Sequence, residues 1–141
     1  MMTDKLNFKL PDIYLSKYLG YKTEFIGPGV TRVKFEIRPQ HLNMAGVLHG
    51  GIYMTIMDSL MGHALYTIAG HKLGGFFTTA MHTHFMQGVR EGSIIGHGRY
   101  LATNGAYMNA EAYITDPSGK LLASAEGQFT LVDADRQADK S

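Results

Sequence analysis

The sequence predicts an α+β domain in which one six-stranded antiparallel sheet wraps around a single long central helix. Three observations carry this. Residues 50–69 are apolar almost all the way round at helical periodicity, the pattern of a helix buried on most sides. Six segments of strand length flank it, two before and four after. The later segments are joined by Thr103-Asn104-Gly105 and Asp116-Pro117-Ser118-Gly119, turns short enough to make them antiparallel neighbours. One helix and one sheet give a two-layer unit, and 141 residues suffice for one sizeable core. We expect one domain over 1–141, with its core over about 20–132 and a polar tail, 133–141, that frays.

The elements follow in order. In residues 12–19, Ile13, Leu15 and Leu19 stand among polar neighbours and predict a short helix stopped at Gly20. Residues 21–26 alternate loosely and end at Gly27-Pro28-Gly29, a strong turn signal. Residues 31–38 alternate cleanly, with Val33, Phe35 and Ile37 on one face and Arg32, Lys34, Glu36 and Arg38 on the other, so the two segments form a hairpin. Residues 40–48 read as a loop, and the long helix that follows has a natural stop at Gly70. Strands are expected at 76–86, 93–102, 105–115 and 121–132. An open sheet of this kind has edges, for which dimerisation is the expected remedy.

Composition excludes several classes. Thirteen Lys and Arg against twelve Asp and Glu leave a formal charge of +1, too weak a field for a dedicated nucleic-acid binder. Charged residues make up only 18%, which suggests that another subunit covers part of the surface. Cysteine is absent, which removes disulfides, thiolate-held zinc and thiol nucleophiles. The first residues lack the apolar run of a signal peptide, and the longest apolar stretch carries His49, Asp58 and His63, so no membrane span is expected. The expectation is a soluble cytoplasmic protein.

The chemistry concentrates in Asn43-Met44-Ala45-Gly46-Val47-Leu48-His49-Gly50-Gly51, with Asp58 seven residues later. Gly50 and Gly51 open the helix, where backbone N–H groups lack partners and the macrodipole is positive. Without a Cβ they admit a ligand carbonyl closely, the geometry of an oxyanion site; a tight turn is the plainer alternative. Asp58 has Met54, Thr55, Met61, Gly62 and Leu65 as same-face neighbours, so its carboxyl loses solvation. It is then a general base or nucleophile, or else a cap or the partner of another subunit's arginine. Asn43 and His49 flank the loop and either position substrate or hold the loop.

Other candidates are weaker. Ser59 and His63 are one turn apart with no orienting carboxylate on their face. His82 and His84 share a strand face, but no spacing supplies a third metal ligand. No nucleotide-binding glycine loop occurs. Met44, Met54, Met57, Met61, Met81, Met86 and Met108 either line an adaptable tunnel or fill the core.

The run Asn43…Gly46-Val47-Leu48-His49-Gly50-Gly51, followed after six residues by Asp58, resembles the motif of hotdog-fold acyl-CoA thioesterases, in particular the phenylacetate-pathway and thioesterase-superfamily-member branch. Phe85, Gly92, Gly119-Lys120-Leu121-Leu122-Ala123 and Gly127-Gln128-Phe129 fit the same pattern, and the resemblance spans about residues 30–132. It implies a hotdog fold paired as dimers or dimers of dimers, with the active site between subunits. It further implies that Gly50 N–H polarises the thioester carbonyl, beside Gly51, and that Asp58 acts across the dimer as base or nucleophile. Asn43 and His49 would position the reacting groups. A strand hydroxyl would orient water, Thr78 falling nearest that position with Thr79 beside it. Ala106 stands where many relatives carry a basic residue, so coenzyme A phosphates would be met by Arg90, Arg99 or Lys120. The implied activity is hydrolysis of a small or medium acyl-CoA, including aryl-acyl-CoA, with no metal or other cofactor. A hotdog hydratase or dehydratase, and a non-catalytic acyl-CoA binding module, are the alternatives.

Overall fold

The computed structural model describes residues 15–70 and 73–133. A short helix α1 (Leu15–Leu19) leads into strands β1 (Thr23–Gly27) and β2 (Val30–Glu36); a 3₁₀ turn (Pro39–His41) and a loop precede helix α2 (Gly50–Ala69), after which come β3 (Leu73–Phe85), β4 (Ser93–Asn104), β5 (Tyr107–Thr115) and β6 (Leu121–Asp133). The six strands form one antiparallel sheet in the order β1-β2-β4-β5-β6-β3. The predicted hairpins all form, and the long connection from β2 through α2 carries β3 to the far edge, beside β6. Of the helix expected over 12–19, α1 lies within the described residues; residues before 15 and the tail beyond 133 lie outside them.

Alternation explains the core. In β2, Thr31, Val33 and Phe35 turn inward while Val30, Arg32, Lys34 and Glu36 face outward. Ile56, Met57, Leu60, Met61 and Leu65 of α2 meet Phe35, Ile94, Met108, Ile114 and Phe129 of the sheet in one continuous apolar cluster. The sheet approaches the helix closely because glycines face it. A Cβ on Gly98 would stand 2.6 Å from the Leu60 carbonyl oxygen, and one on Gly127 would stand 2.9 Å from Met61. The Thr31 hydroxyl uses this closeness, donating to Leu60 O at 2.7 Å inside the core.

Two differences from the sequence reading matter for the site. The helix is not covered all round: Gly51 and Met54 are exposed, Thr55 and Asp58 are half-buried, and together they form an open stripe. The methionines divide. Met57, Met61 and Met108 fill the core, whereas Met44, Met54 and Met86 are exposed.

Candidate active site

The N-terminus of α2 is built by hydrogen bonds in the loop before it. Asn43 turns that loop: its backbone N–H donates to Val47 O at 2.8 Å and its carbonyl accepts from Gly46 N–H at 3.0 Å. Its Oδ1 accepts from the N–H groups of Ala45 and Val47 at 2.9 and 3.3 Å. The Arg90 guanidinium then clasps the loop from outside, donating to the carbonyls of Ala45 and Gly46 at 3.1 and 3.3 Å. Leu48 N–H donates to Val89 O, and His49 N–H to His41 O, which fixes the angle at which the chain enters the helix.

His49 is the N-cap. Its Nδ1 accepts from Gly51 N–H at 2.8 Å, and its carbonyl accepts from Ile52 N–H at 2.9 Å. An Nδ1 that accepts belongs to a neutral ring with its proton on Nε2. The cap consumes the Gly51 donor and leaves Gly50 N–H without an acceptor among the described residues. Of the two glycines, it is therefore Gly50 that offers a free donor at the positive end of a 20-residue helix. The Phe85 ring flanks it, 3.5 Å from where a Gly50 Cβ would stand, and packs edge-on against Tyr53.

Two turns further along, Asp58 sits half-buried on the open stripe, and the Thr78 hydroxyl donates to its Oδ1 at 2.6 Å. That is a short, charge-assisted bond. The register of β3 explains why Thr78 and not its neighbour makes it. A bulge between Thr78 and Ala80 leaves Thr79 unpaired with β6 and turns it to the opposite face, where its hydroxyl bonds Thr130. Sequence alone left these two threonines undecided; the bulge assigns one to each face.

Polar groups also flank the other side of α2. Tyr21 OH pairs with Ser59 Oγ at 2.7 Å, and His63 Nδ1 with Thr23 Oγ1 at 2.7 Å. Burial pushes the Tyr21 phenol up, with the nearby Asp58 charge adding to the rise. Burial pushes His63 down, and the same charge partly opposes it. Asp58 thus faces a hydroxyl on β3 while its field reaches a phenol and an imidazole on the β1 side.

A family model described as the thioesterase superfamily matches residues 45–123. The chain belongs to that superfamily. A proposed esterase of Mycobacterium tuberculosis is 25% identical over 118 residues, covering 82% of this chain and 84% of its own length. Its solved structure superposes with a TM-score of 0.79 at 23% identity, covering 84% of this chain and 96% of that one. The Escherichia coli PaaI protein, from the phenylacetic acid degradation operon, superposes at 0.75 with 18% identity, covering 83% of each chain. A Streptococcus mutans protein bound to acetyl CoA superposes at 0.77 with 16% identity, covering 89% of this chain and 98% of that one. These likenesses establish the hotdog architecture.

In this superfamily member the remaining candidates are dispersed. Arg90 is occupied by the loop carbonyls. Arg99 pairs with Glu111 on the outer face of the sheet. Lys120 is exposed in the β5–β6 turn, where its backbone N–H donates to Asp116 Oδ1. His82 and His84 face outward, their rings 4.7 Å apart, and among the described residues no three His, Asp or Glu side chains gather as a metal-binding set. One group escaped sequence reasoning. Thr83 Oγ1 is the one buried side-chain polar atom without a partner among the described residues. The available signal was a hydroxyl between Met81 and Phe85 on the inward alternation of a strand.

Proposed function

We propose that this chain hydrolyses small or medium acyl-CoA thioesters, aryl-acyl-CoA included, as a homodimer or dimer of dimers with composite sites. The observation that carries the reading is the unpartnered Gly50 N–H at the tip of α2, together with a half-buried carboxylate on the same open stripe. The bound acetyl CoA of the Streptococcus mutans relative supports the ligand class.

Distance supports the dimer. Gly50 and Asp58 are eight residues apart on one helix, about 12 Å along its axis, too far to act on one carbonyl. A second copy can supply the missing half. Of the two sheet edges, β1 is five residues long and bulged, as protected edges are, whereas β3 runs for 13 residues with Phe77 and Phe85 more than half exposed. Pairing of β3 with β3 would bring the open stripes together.

In the reaction, Gly50 N–H holds the thioester carbonyl oxygen, where one donor contributes about 2.7–4 kcal/mol to the oxyanion. Asp58 of the partner subunit, held by its threonine, takes a proton from water as the hydroxyl adds to the carbonyl carbon, or attacks that carbon itself to form an acyl-aspartyl anhydride, which water then cleaves to release the acid, free the carboxylate and supply the thiolate's proton. Collapse of the tetrahedral intermediate expels the coenzyme A thiolate, which then gains the proton. Asn43 and His49 hold the loop that aims Gly50. No step calls for a metal or redox cofactor.

Thiol release from a panel of acyl-CoAs tests this. Asp58→Asn should lower kcat/KM by about 10²–10⁴-fold with the fold intact. Undiminished turnover would remove Asp58 from the chemistry. Tight binding with no turnover by the wild type would leave a binding module in place of an enzyme.

A further inference from the structure

We propose that a cavity between α1 and the β1–β2 edge is a second ligand site, separate from the thioester site, for a small molecule that carries a phosphate or pyrophosphate group. The inference stands whether or not the chain is a hydrolase.

The cavity has a volume of about 640 Å³, a size at which small-molecule sites occur. Its lip is the end of α1. The Ser16 carbonyl accepts from the N–H groups of Gly20 and Tyr21 at 2.9 and 3.0 Å, which closes the helix into the turn before β1. Gly20 makes that turn at φ +88°, and a Cβ there would meet nothing within 4 Å. Tyr21 supplies a fixed wall. It is buried, its ring packs edge-on against Phe35, and its hydroxyl is paired with Ser59 of α2 at 2.7 Å. A wall held in this way loses little freedom when a ligand arrives.

Charge selects the ligand. Lys17, Lys22 and Lys34 all border the cavity, with Glu24 as the one carboxylate among its lining residues. Glu24 stands opposite Arg32 in the β1–β2 ladder, an opposite-charge pair across the strands. The lysines have no such counterpart: among the described residues none of the three is in an ion pair. Thr23 lies opposite Val33, so Lys22 and Lys34 are the next residues outward and stand side by side. Like charges so placed are destabilising until an anion lies between them. Protection of a sheet edge accounts for a lysine beside β1. It does not account for Lys17 on α1 or for Lys34 on β2, one strand in. Three ammonium groups brought from three segments around one space gather a compact, multiply charged anion.

Topology keeps this site apart from the thioester site. β1 and β3 are the two outer strands of the sheet. The candidate chemistry, with Thr78 and Phe85, lies on the β3 flank of α2. Pairing through β3 would leave the cavity at the outer end of each protomer.

Calorimetric titration of the full chain with inorganic pyrophosphate tests the proposal. The wild type should bind it at one site per chain. The double variant Lys22→Gln, Lys34→Gln, with its circular dichroism spectrum unchanged, should bind it more weakly by about tenfold or more. Lys120→Gln, which removes an exposed cation from the β5–β6 turn, should leave the affinity as it was. Coenzyme A in large excess should not displace the bound pyrophosphate. No binding at millimolar pyrophosphate overturns the proposal, as does equal affinity in the wild type and the double variant. Displacement by coenzyme A also overturns it, because the anion would then occupy the place of the substrate's own phosphates. None of these outcomes depends on turnover, so a failure of hydrolysis is read separately from a failure of this site.

Discussion

The two flanks of α2 carry similar groups to different ends. On the β1 side, Tyr21 meets Ser59 and His63 meets Thr23, each pair closed and largely shielded. On the β3 side, Thr78 meets an Asp58 that stays half open, Thr83 Oγ1 has no partner among the described residues, and Phe85 remains exposed. A closed polar pair returns in the folded state the hydrogen bonds lost from water, and its net worth is stability. An open or orphaned one is tolerated where something else completes it. The difference separates structure from chemistry along a single helix.

Exchanging one hydroxyl on each flank is the strongest way to break that comparison. Thr78→Val keeps the β-branched shape and removes a bond to a charged acceptor, an interaction of about 1.5–3 kcal/mol. If the bond orients Asp58 for catalysis, kcat should fall about 10–100-fold, since each 1.4 kcal/mol is tenfold. Tyr21→Phe removes a neutral pair and should cost about 0.5–1.5 kcal/mol of unfolding free energy with kcat unchanged. Steady-state kinetics and urea melts on both variants read the two axes. A catalytic loss in Tyr21→Phe equal to that in Thr78→Val would merge the flanks into one network.

Much of this was legible in residue patterns. The helix over 50–69 and the Asn104-Gly105 and Pro117-Ser118-Gly119 hairpins are local signals, set by apolar periodicity and turn chemistry, and they fold where those signals place them. The motif around Gly50 was readable too. What local pattern cannot carry is the consequence of register. The bulge at Thr79 decides which threonine meets Asp58, and nothing in Thr-Thr encodes it. Likewise Arg90 and Arg99 are both cations in sequence; only the fold shows one spent on loop carbonyls and the other on Glu111.

Acid should weaken the closed flank. Burial holds His63 below its ordinary value, so the native state prefers the neutral ring. Above about pH 6.5 the ring is neutral in folded and unfolded chains alike. As pH falls below that, the unfolded chain takes up the proton first, and stability is lost until the folded pKa is passed. Burial likewise lowers His41 and His97, so His63→Gln should remove only part of the slope. Thermal melts from pH 8 to 5 check this. An identical slope in His63→Gln would place the sensitivity elsewhere, with Asp58, Thr23 and Phe25 as the groups facing the ring.

The smallest effect is expected on the outer face of the sheet. Arg99 and Glu111 are paired there with side chains 64% and 35% exposed. Exposed ion pairs contribute about 0–1 kcal/mol, because water screens the attraction and two long side chains must be ordered to make it. Arg99→Ala should therefore shift unfolding by no more than about 0.5 kcal/mol. It should also leave KM for acyl-CoA unchanged, since Arg99 projects from the face opposite α2. This arginine was one of the cations the sequence offered to coenzyme A phosphates. A several-fold rise in KM, lost again at high salt, would mean that the nucleotide reaches round to the outer face, and that the sheet's two faces divide the substrate between them.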